Sequence, residues 1–188
     1  MMRIRFSVAS AGLLLATVYG PGVGAQEAGS GVSIDVESIR ALLLSGFENN
    51  RLMDVDFVRA IPDSALRWAP DEVVRDFAEQ IEHTALDNVM FVVMGVTDGE
   101  RPSFGDPDNY LNDKEALVEA VNAAYDWVME SLRTIPAEEL VMETELFGQQ
   151  MVKWRVYLQA LEHAYWTRGQ LVSYCRAHGI APPRYRAF

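Results

Sequence analysis

From about Gln150 to His178 the chain carries one uninterrupted helical pattern, and its far end is marked by Gly179 and by the pair Pro182, Pro183. A glycine accepts a left-handed cap without steric cost and prolines cannot continue a helix, so the pattern predicts a long terminal helix with a definite stop. Such a helix must bury its apolar side against partners of similar length. Those partners lie upstream. Ile39, Leu42, Leu43 and Phe47 set out a helix from Ser33 towards about Arg59, ended by Pro62. After a short connection through Trp68 and Pro70, a second runs from about Asp71 through Val74, Phe77, Ile81, Ala85 and Val92 to about Val96. The stretch from Asp98 to Pro107, with Gly99, Pro102 and Gly105, predicts a loop. A third helix opens at Asn112 or Asp113, both good N-caps, and continues through Leu117, Val121, Tyr125 and Val128 to about Leu132, before Pro136. Residues 141 to 148 alternate only loosely and offer no more than a short extended stretch before Gly148. Four long amphipathic segments without a firm strand predict an all-α fold, a four-helix bundle.

The N-terminus precedes this bundle. Arg3 and Arg5 are followed by an apolar run from Phe6 to Tyr19, a break at Pro21 and Gly22, and the small residues Val23, Gly24 and Ala25. This is the pattern of a secretory signal peptide cleaved after Ala25. The run is shorter than the roughly 20 residues needed to span a bilayer. The expected organisation is a signal peptide over 1–25, a small polar tether over 26–33, the helical domain over 34–183 and a C-terminal tail over 184–188. The expected location is exported, periplasmic or extracellular, with no membrane association in the mature form.

Cleavage removes two of the 16 basic residues and none of the 27 acidic ones, moving the net charge from −11 to −13. An acidic surface repels phosphates and anionic lipid, which argues against nucleic-acid and membrane-surface partners; a small-molecule substrate is compatible with it. The single cysteine, Cys175, permits no internal disulfide. Its apolar neighbours on the last helix predict a buried thiol acting as a small hydrophobe.

Histidine is scarce, so placement is informative: His83, His163 and His178 are the only ones. At about 100° per residue, His83 falls roughly opposite Val74 and Val92, on a flank with Glu79 and Asp87. His163 falls roughly opposite Trp154 and Val172, on a mixed flank with Val156, Gln159, Thr167, Gln170 and Tyr174. A pocket between the second and last helices is the natural place for both, and helix bundles build metal sites in this way. On the residues alone, a surface histidine and a hydrogen-bonded interior one remain the competing reading. His178 lies about 22 Å along the same helix from His163, in the last turn, where an imidazole suits the exposed carbonyls, and it reads as a cap.

The run Arg75, Asp76, Phe77, Ala78, Glu79, Gln80, Ile81, Glu82, His83 with Asn88 resembles the second helix of the DinB/YfiT-like metalloenzyme families. Glu162, His163, Arg168, Gly169, Gln170, Leu171, Tyr174, Arg176, Gly179, Pro182 and Pro183 resemble that family's last helix and terminal turn. The approach through Trp68 and Pro70 fits as well, so the resemblance extends from about Asp35 to Pro183. It implies a four-helix bundle, often a homodimer, with a divalent metal such as zinc or nickel held by one histidine of the second helix and two of the last. Some members are similar to thiol-dependent transferases and isomerases, whose thiol cofactors are intracellular, whereas this chain is expected to be exported.

The family's two last-helix ligands are four residues apart, and here they fall on His163 and Thr167. A neutral hydroxyl is a weak ligand beside imidazole, so the histidine triad is incomplete. Asp87, one turn from His83 on the same flank, is the leading replacement, and Glu79 is the second. The expected metal ligands are therefore His83, His163 and Asp87, in a divalent-metal-dependent transferase or hydrolase. The alternative is a non-catalytic bundle that has lost the metal site and serves as a binding or dimerisation module.

Overall fold

The computed structural model describes residues 35–187. The signal peptide over 1–25, the tether over 26–33 and the expected helix start at Ser33 lie outside the described residues. Helix α1 spans Val36–Ala60, and the Asp35 carboxylate caps it by accepting from the Glu37 amide at 3.2 Å. It ends where Ile61 turns extended ahead of Pro62, and a single 3₁₀ turn, Asp63–Ala65, follows.

The second helix, α2, spans Phe77–Val92 and does not begin at Asp71. The reason is local. The Asp76 carboxylate accepts from the Glu79 amide at 2.9 Å while Glu79 accepts in return from the Asp76 amide at 3.0 Å, a reciprocal capping box that fixes the helix start. Residues upstream therefore turn away, and Val74, expected on the apolar stripe, is off the helix and exposed. At its far end α2 widens into a π-type turn, Val93–Thr97. Gly95 in that turn lies so near α6 that an added Cβ would stand 2.8 Å from Val156 Cγ2, which explains a glycine there.

A one-turn helix, α3 (Pro107–Tyr110), closes the loop and is capped by Asp106. Helix α4 spans Lys114–Thr134 and is capped by Asp113, as the sequence predicts. The single turn α5 (Ala137–Leu140) leads into an antiparallel hairpin, β1 (Glu143–Leu146) and β2 (Gln149–Val152), with Glu143 opposite Val152 and Leu146 opposite Gln149. The two-residue connection, Phe147 (φ 51°) and Gly148 (φ 76°), has the two positive φ values of a type I′ turn. Helix α6 accordingly spans Lys153–Ala177 and starts three residues later than Gln150, because 149–152 spend their backbone groups on the β1 ladder. Its C-terminus is closed at Gly179 (φ 75°), with the Ile180 amide reaching back to the Cys175 carbonyl at 2.7 Å.

The four long helices form the bundle, and its core includes Phe47, Phe57, Phe77, Ile81, Leu117, Leu132, Tyr157 and Leu171. Cys175 is fully buried there and free. Inside this apolar core sits one charged pair. Arg168 Nε of α6 lies 2.6 Å from Asp54 Oδ1 of α1, and the Tyr125 hydroxyl of α4 donates to Asp54 Oδ2 at 2.7 Å. Burial disfavours the charged guanidinium, yet the adjacent carboxylate holds its pKa above the ordinary arginine value. Three helices are thus tied at one point, five residues beyond His163 on α6. Among the described residues no helix is long and apolar enough to cross a membrane.

Candidate metal centre

Of all helix pairs in the bundle, α2 and α6 make the most extensive contact. Along their seam the chain places His83 and Asp87 on consecutive turns of α2 and His163 opposite them on α6. All three side chains are about one fifth exposed. They are buried enough for a defined geometry and open enough for a ligand to reach. Asp87 Oδ2 lies 2.8 Å from His83 Nδ1 and 3.9 Å from His163 Nε2, and the two imidazole rings meet edge to face with centroids 4.9 Å apart. One ligand atom from each residue falls within 4.8 Å of the other two. Donors on a tetrahedral ion with bonds of about 2.05 Å are roughly 3.3 Å apart. The two carboxylate distances bracket that value, so side-chain adjustments of the order of 1 Å would bring the set onto one ion.

The electrostatics suit ligation as well. Burial pushes His83 below its usual 6.5, Asp87 opposes this, and the nearby Arg75 charge adds to the depression. Burial likewise lowers His163, again opposed by Asp87 and reinforced by His83 and Arg75. Both shifts favour the neutral imidazole, the form that offers a lone pair to a metal. His163 Nδ1 is buried without a hydrogen-bond partner. A buried polar atom left in that state carries a desolvation cost that a bound ligand would relieve.

A pH dependence follows for the metal-free protein. Each folded-state pKa is below its unfolded value, so the unfolded chain takes up protons more readily; the stability contributed is complete above about 6.5 and is lost as pH falls below it. Chemical unfolding in the presence of a chelator from pH 7.5 to pH 5 should record that loss. A His83→Gln, His163→Gln double variant should have a flatter profile over the same range. An unchanged slope would mean that neither ring is desolvated in the folded state.

The other sequence candidates are occupied elsewhere. Glu79 is engaged in the capping box and lies 3.1 Å from Arg67 Nη2, which removes it as the third donor. The Thr167 hydroxyl is turned onto its own helix, donating to the His163 carbonyl at 2.9 Å, while Gln80 Nε2 donates to the Thr167 carbonyl at 3.1 Å. Thr167 is 3% exposed and functions as packing between α2 and α6. His178 sits at the C-cap of α6, as expected, with its ring 5.1 Å from that of Trp68.

Two pockets meet this cluster. A polar one of about 400 Å³ is lined by Arg75, Glu82, His83, Asp87 and Arg101 among others. A more apolar one, also about 400 Å³, is lined by Phe91, Phe147, Trp166 and His163 together with Gln159 and Glu162. Sequence reasoning missed the arginines and the aromatics. The arginines sit outside the regular part of α2, and Phe147 lies in a turn whose hairpin was only loosely indicated. A further pocket between α1, α6 and the C-terminal segment, lined by Met53, Phe57, Val172 and Tyr185, carries no carboxylate or imidazole and offers no comparable chemistry.

The chain matches no protein-family model, and no curated protein matches it significantly in sequence. Solved structures do match. It is similar to a DinB-like protein from Bacillus cereus, with a TM-score of 0.63 and 14% identity over 77% of this chain and 95% of that one. It is also similar to a DinB-like protein from Bacillus subtilis, with a TM-score of 0.59 and 18% identity over 77% of this chain and 96% of that one. The fold is therefore that of DinB-like proteins, in agreement with the resemblance read from the sequence. Identities this low carry the fold and not the chemistry.

Proposed function

We propose that this protein is a metal-dependent enzyme, a transferase or hydrolase, whose divalent ion is held by His83, His163 and Asp87. The observation that supports it is the convergence of two neutral imidazoles and one carboxylate from facing helices, each offering a donor within 4.8 Å of the others. Two histidines and a carboxylate leave further coordination positions for substrate or water. A bound divalent ion would polarise a substrate oxygen or lower the pKa of a bound water. The chain's own part is to keep both imidazoles unprotonated by burial and to bring Asp87 between them.

Elemental analysis of the purified mature protein should find about one equivalent of zinc, nickel or a similar ion. His83→Ala and Asp87→Ala should each lose most of it while retaining the helical circular dichroism of the wild type. A metal content that is negligible, or that survives both substitutions, removes this reading.

The competing reading, a bundle that has lost its metal and acts as a binding module, is favoured by one observation: the family's second last-helix position holds Thr167, with its hydroxyl committed to the helix backbone. Export and two-fold association belong to the proposal on sequence grounds alone, and N-terminal sequencing and light scattering are their tests.

A further inference from the structure

Along one face of α6, Gln159, Glu162, His163 and Trp166 recur at the i, i+3, i+4, i+7 spacing that stacks side chains on a helix, and all four line the more apolar pocket beside the donor set. The rest of that lining is Phe91 of α2 and Phe147 of the hairpin turn, whose rings meet edge to face with centroids 5.3 Å apart. Phe147 stands against its own preferences. It occupies the first central position of a type I′ turn with φ 51°, where asparagine or glycine is favoured and a bulky side chain is an outlier. Phe147 is 59% exposed and Trp166 80%, so neither aromatic serves the core. A strained backbone that presents a ring to an open pocket is a reason to look for a ligand.

The charge of this pocket has one sign. Its lining holds one carboxylate, Glu162, and no lysine or arginine. Gln159 Nε2 donates to Glu162 Oε2 at 2.9 Å, which steadies the carboxylate, and among the described residues no cation pairs with it. Arg155, one turn before Gln159, lines a different pocket with Glu143. Trp166 follows Glu162 by four residues, one turn along the helix, so an ion beside the carboxylate is also in reach of the indole. The face of an aromatic ring attracts cations, and that of tryptophan most of all. A carboxylate among three aromatic rings therefore selects a positive ligand and rejects an anion, in keeping with a chain of net charge −11.

We infer that this pocket binds a small organic ammonium ion, its charge between Glu162 and Trp166 and its apolar body against Phe91 and Phe147. Every group invoked lines the one pocket of about 400 Å³, within the range of small-molecule sites. Binding stands on these residues alone. That such a compound is the substrate of the centre at His83, His163 and Asp87 rests on the proposed function, since His163 lines the pocket as well.

The test titrates benzyltrimethylammonium into the mature protein, followed by NMR, with benzyl alcohol as the uncharged ring and tetramethylammonium as the ringless cation. Benzyltrimethylammonium should bind roughly fivefold or more tightly than either control. Trp166→Leu keeps an apolar side chain and removes the π face, whereas Glu162→Gln keeps the shape and removes the charge. Each should weaken benzyltrimethylammonium roughly fivefold or more while changing benzyl alcohol by less than about twofold. Phe147→Asn should weaken both ring ligands and leave thermal stability equal or higher, because asparagine before Gly148 suits the turn. Glu119→Gln, at an exposed acid of α4 outside the pocket, should change nothing, and so separates the site from the general pull of an acidic surface. The inference is overturned if benzyltrimethylammonium binds no better than benzyl alcohol, if Trp166→Leu or Glu162→Gln leaves its affinity unchanged, or if Glu119→Gln weakens it as much as Glu162→Gln. It is also overturned if the Trp166 and Phe147 variants alter the oligomeric state by light scattering instead of the affinity, since the face is then a contact between copies. Zinc titrated in parallel keeps the two readings apart: ammonium binding without zinc binding leaves the pocket and removes the metal, and zinc binding without ammonium binding does the reverse.

Discussion

Asp54→Ala should lower the unfolding free energy by roughly 3–5 kcal/mol, since removing one member of a buried ion pair leaves the other charge uncompensated. Asp54 is fully buried and Arg168 is 6% exposed in its side chain, so water cannot replace the lost partner. The Tyr125 hydroxyl would lose its acceptor in the same step. With about 2–4 °C per kcal/mol for a domain of this size, the midpoint of thermal unfolding should fall by roughly 10 °C or more. The pair as a whole need not be stabilising. An Asp54→Leu, Arg168→Met double variant should be much less destabilised than Asp54→Ala, because both desolvation costs disappear together. If the double variant loses as much as the sum of the two single ones, the residues are not coupled, and the account of α1, α4 and α6 tied at this point fails.

How far the sequence discloses this molecule depends on the scale of the signal. The helices are legible because their apolar residues recur over many turns, and their ends were readable wherever a single residue decides: Asp113 before α4, Gly179 after α6. The sequence pattern starts α2 too early because apolar spacing continues back through Val74, whereas the Asp76 and Glu79 box, a pair three residues apart, outweighs it. The hairpin was faint for a related reason. Phe147 is a poor type I′ residue, so the turn lacks the asparagine or aspartate that would announce it, and 149–152 reads equally well as the first turn of the following helix. In the candidate site, the i, i+4 spacing of His83 and Asp87 marked Asp87 ahead of Glu79, and the structure keeps that order. The pocket between α2 and α6 is legible in the sequence; what a linear pattern does not carry is its distances. The approach of His163 to Asp87 depends on how two helices cross, which is set by packing across the whole seam and by the Arg168 pair five residues along α6.

The zinc dependence of thermal unfolding should separate the wild type from Thr167→His more sharply than any other single substitution. An ion bound only by the folded chain stabilises it by RT ln(1 + [L]/Kd), about 2.7 kcal/mol at a hundredfold excess over Kd, which should raise the wild-type midpoint by roughly 5–10 °C. His83→Ala, His163→Ala and Asp87→Ala should each abolish most of that rise, since each removes one of only three donors. Thr167 is one turn from His163 and is buried against α2, so an imidazole there would lie on the same face as the existing donors. Without metal this substitution should cost about 1–3 kcal/mol, because the larger ring must displace packing around a residue that is 3% exposed, and the hydroxyl bond to the His163 carbonyl is lost. With zinc the order should reverse: three imidazoles and a carboxylate form a set of four donors, affinity should rise at least tenfold, and the midpoint should exceed that of the zinc-loaded wild type. Titrating each variant with zinc and following helix content on heating measures all of these at once. If wild type and Thr167→His both remain folded and neither midpoint moves with zinc, the donors of α2 and α6 do not converge on an ion, and the bundle is better read as a binding module.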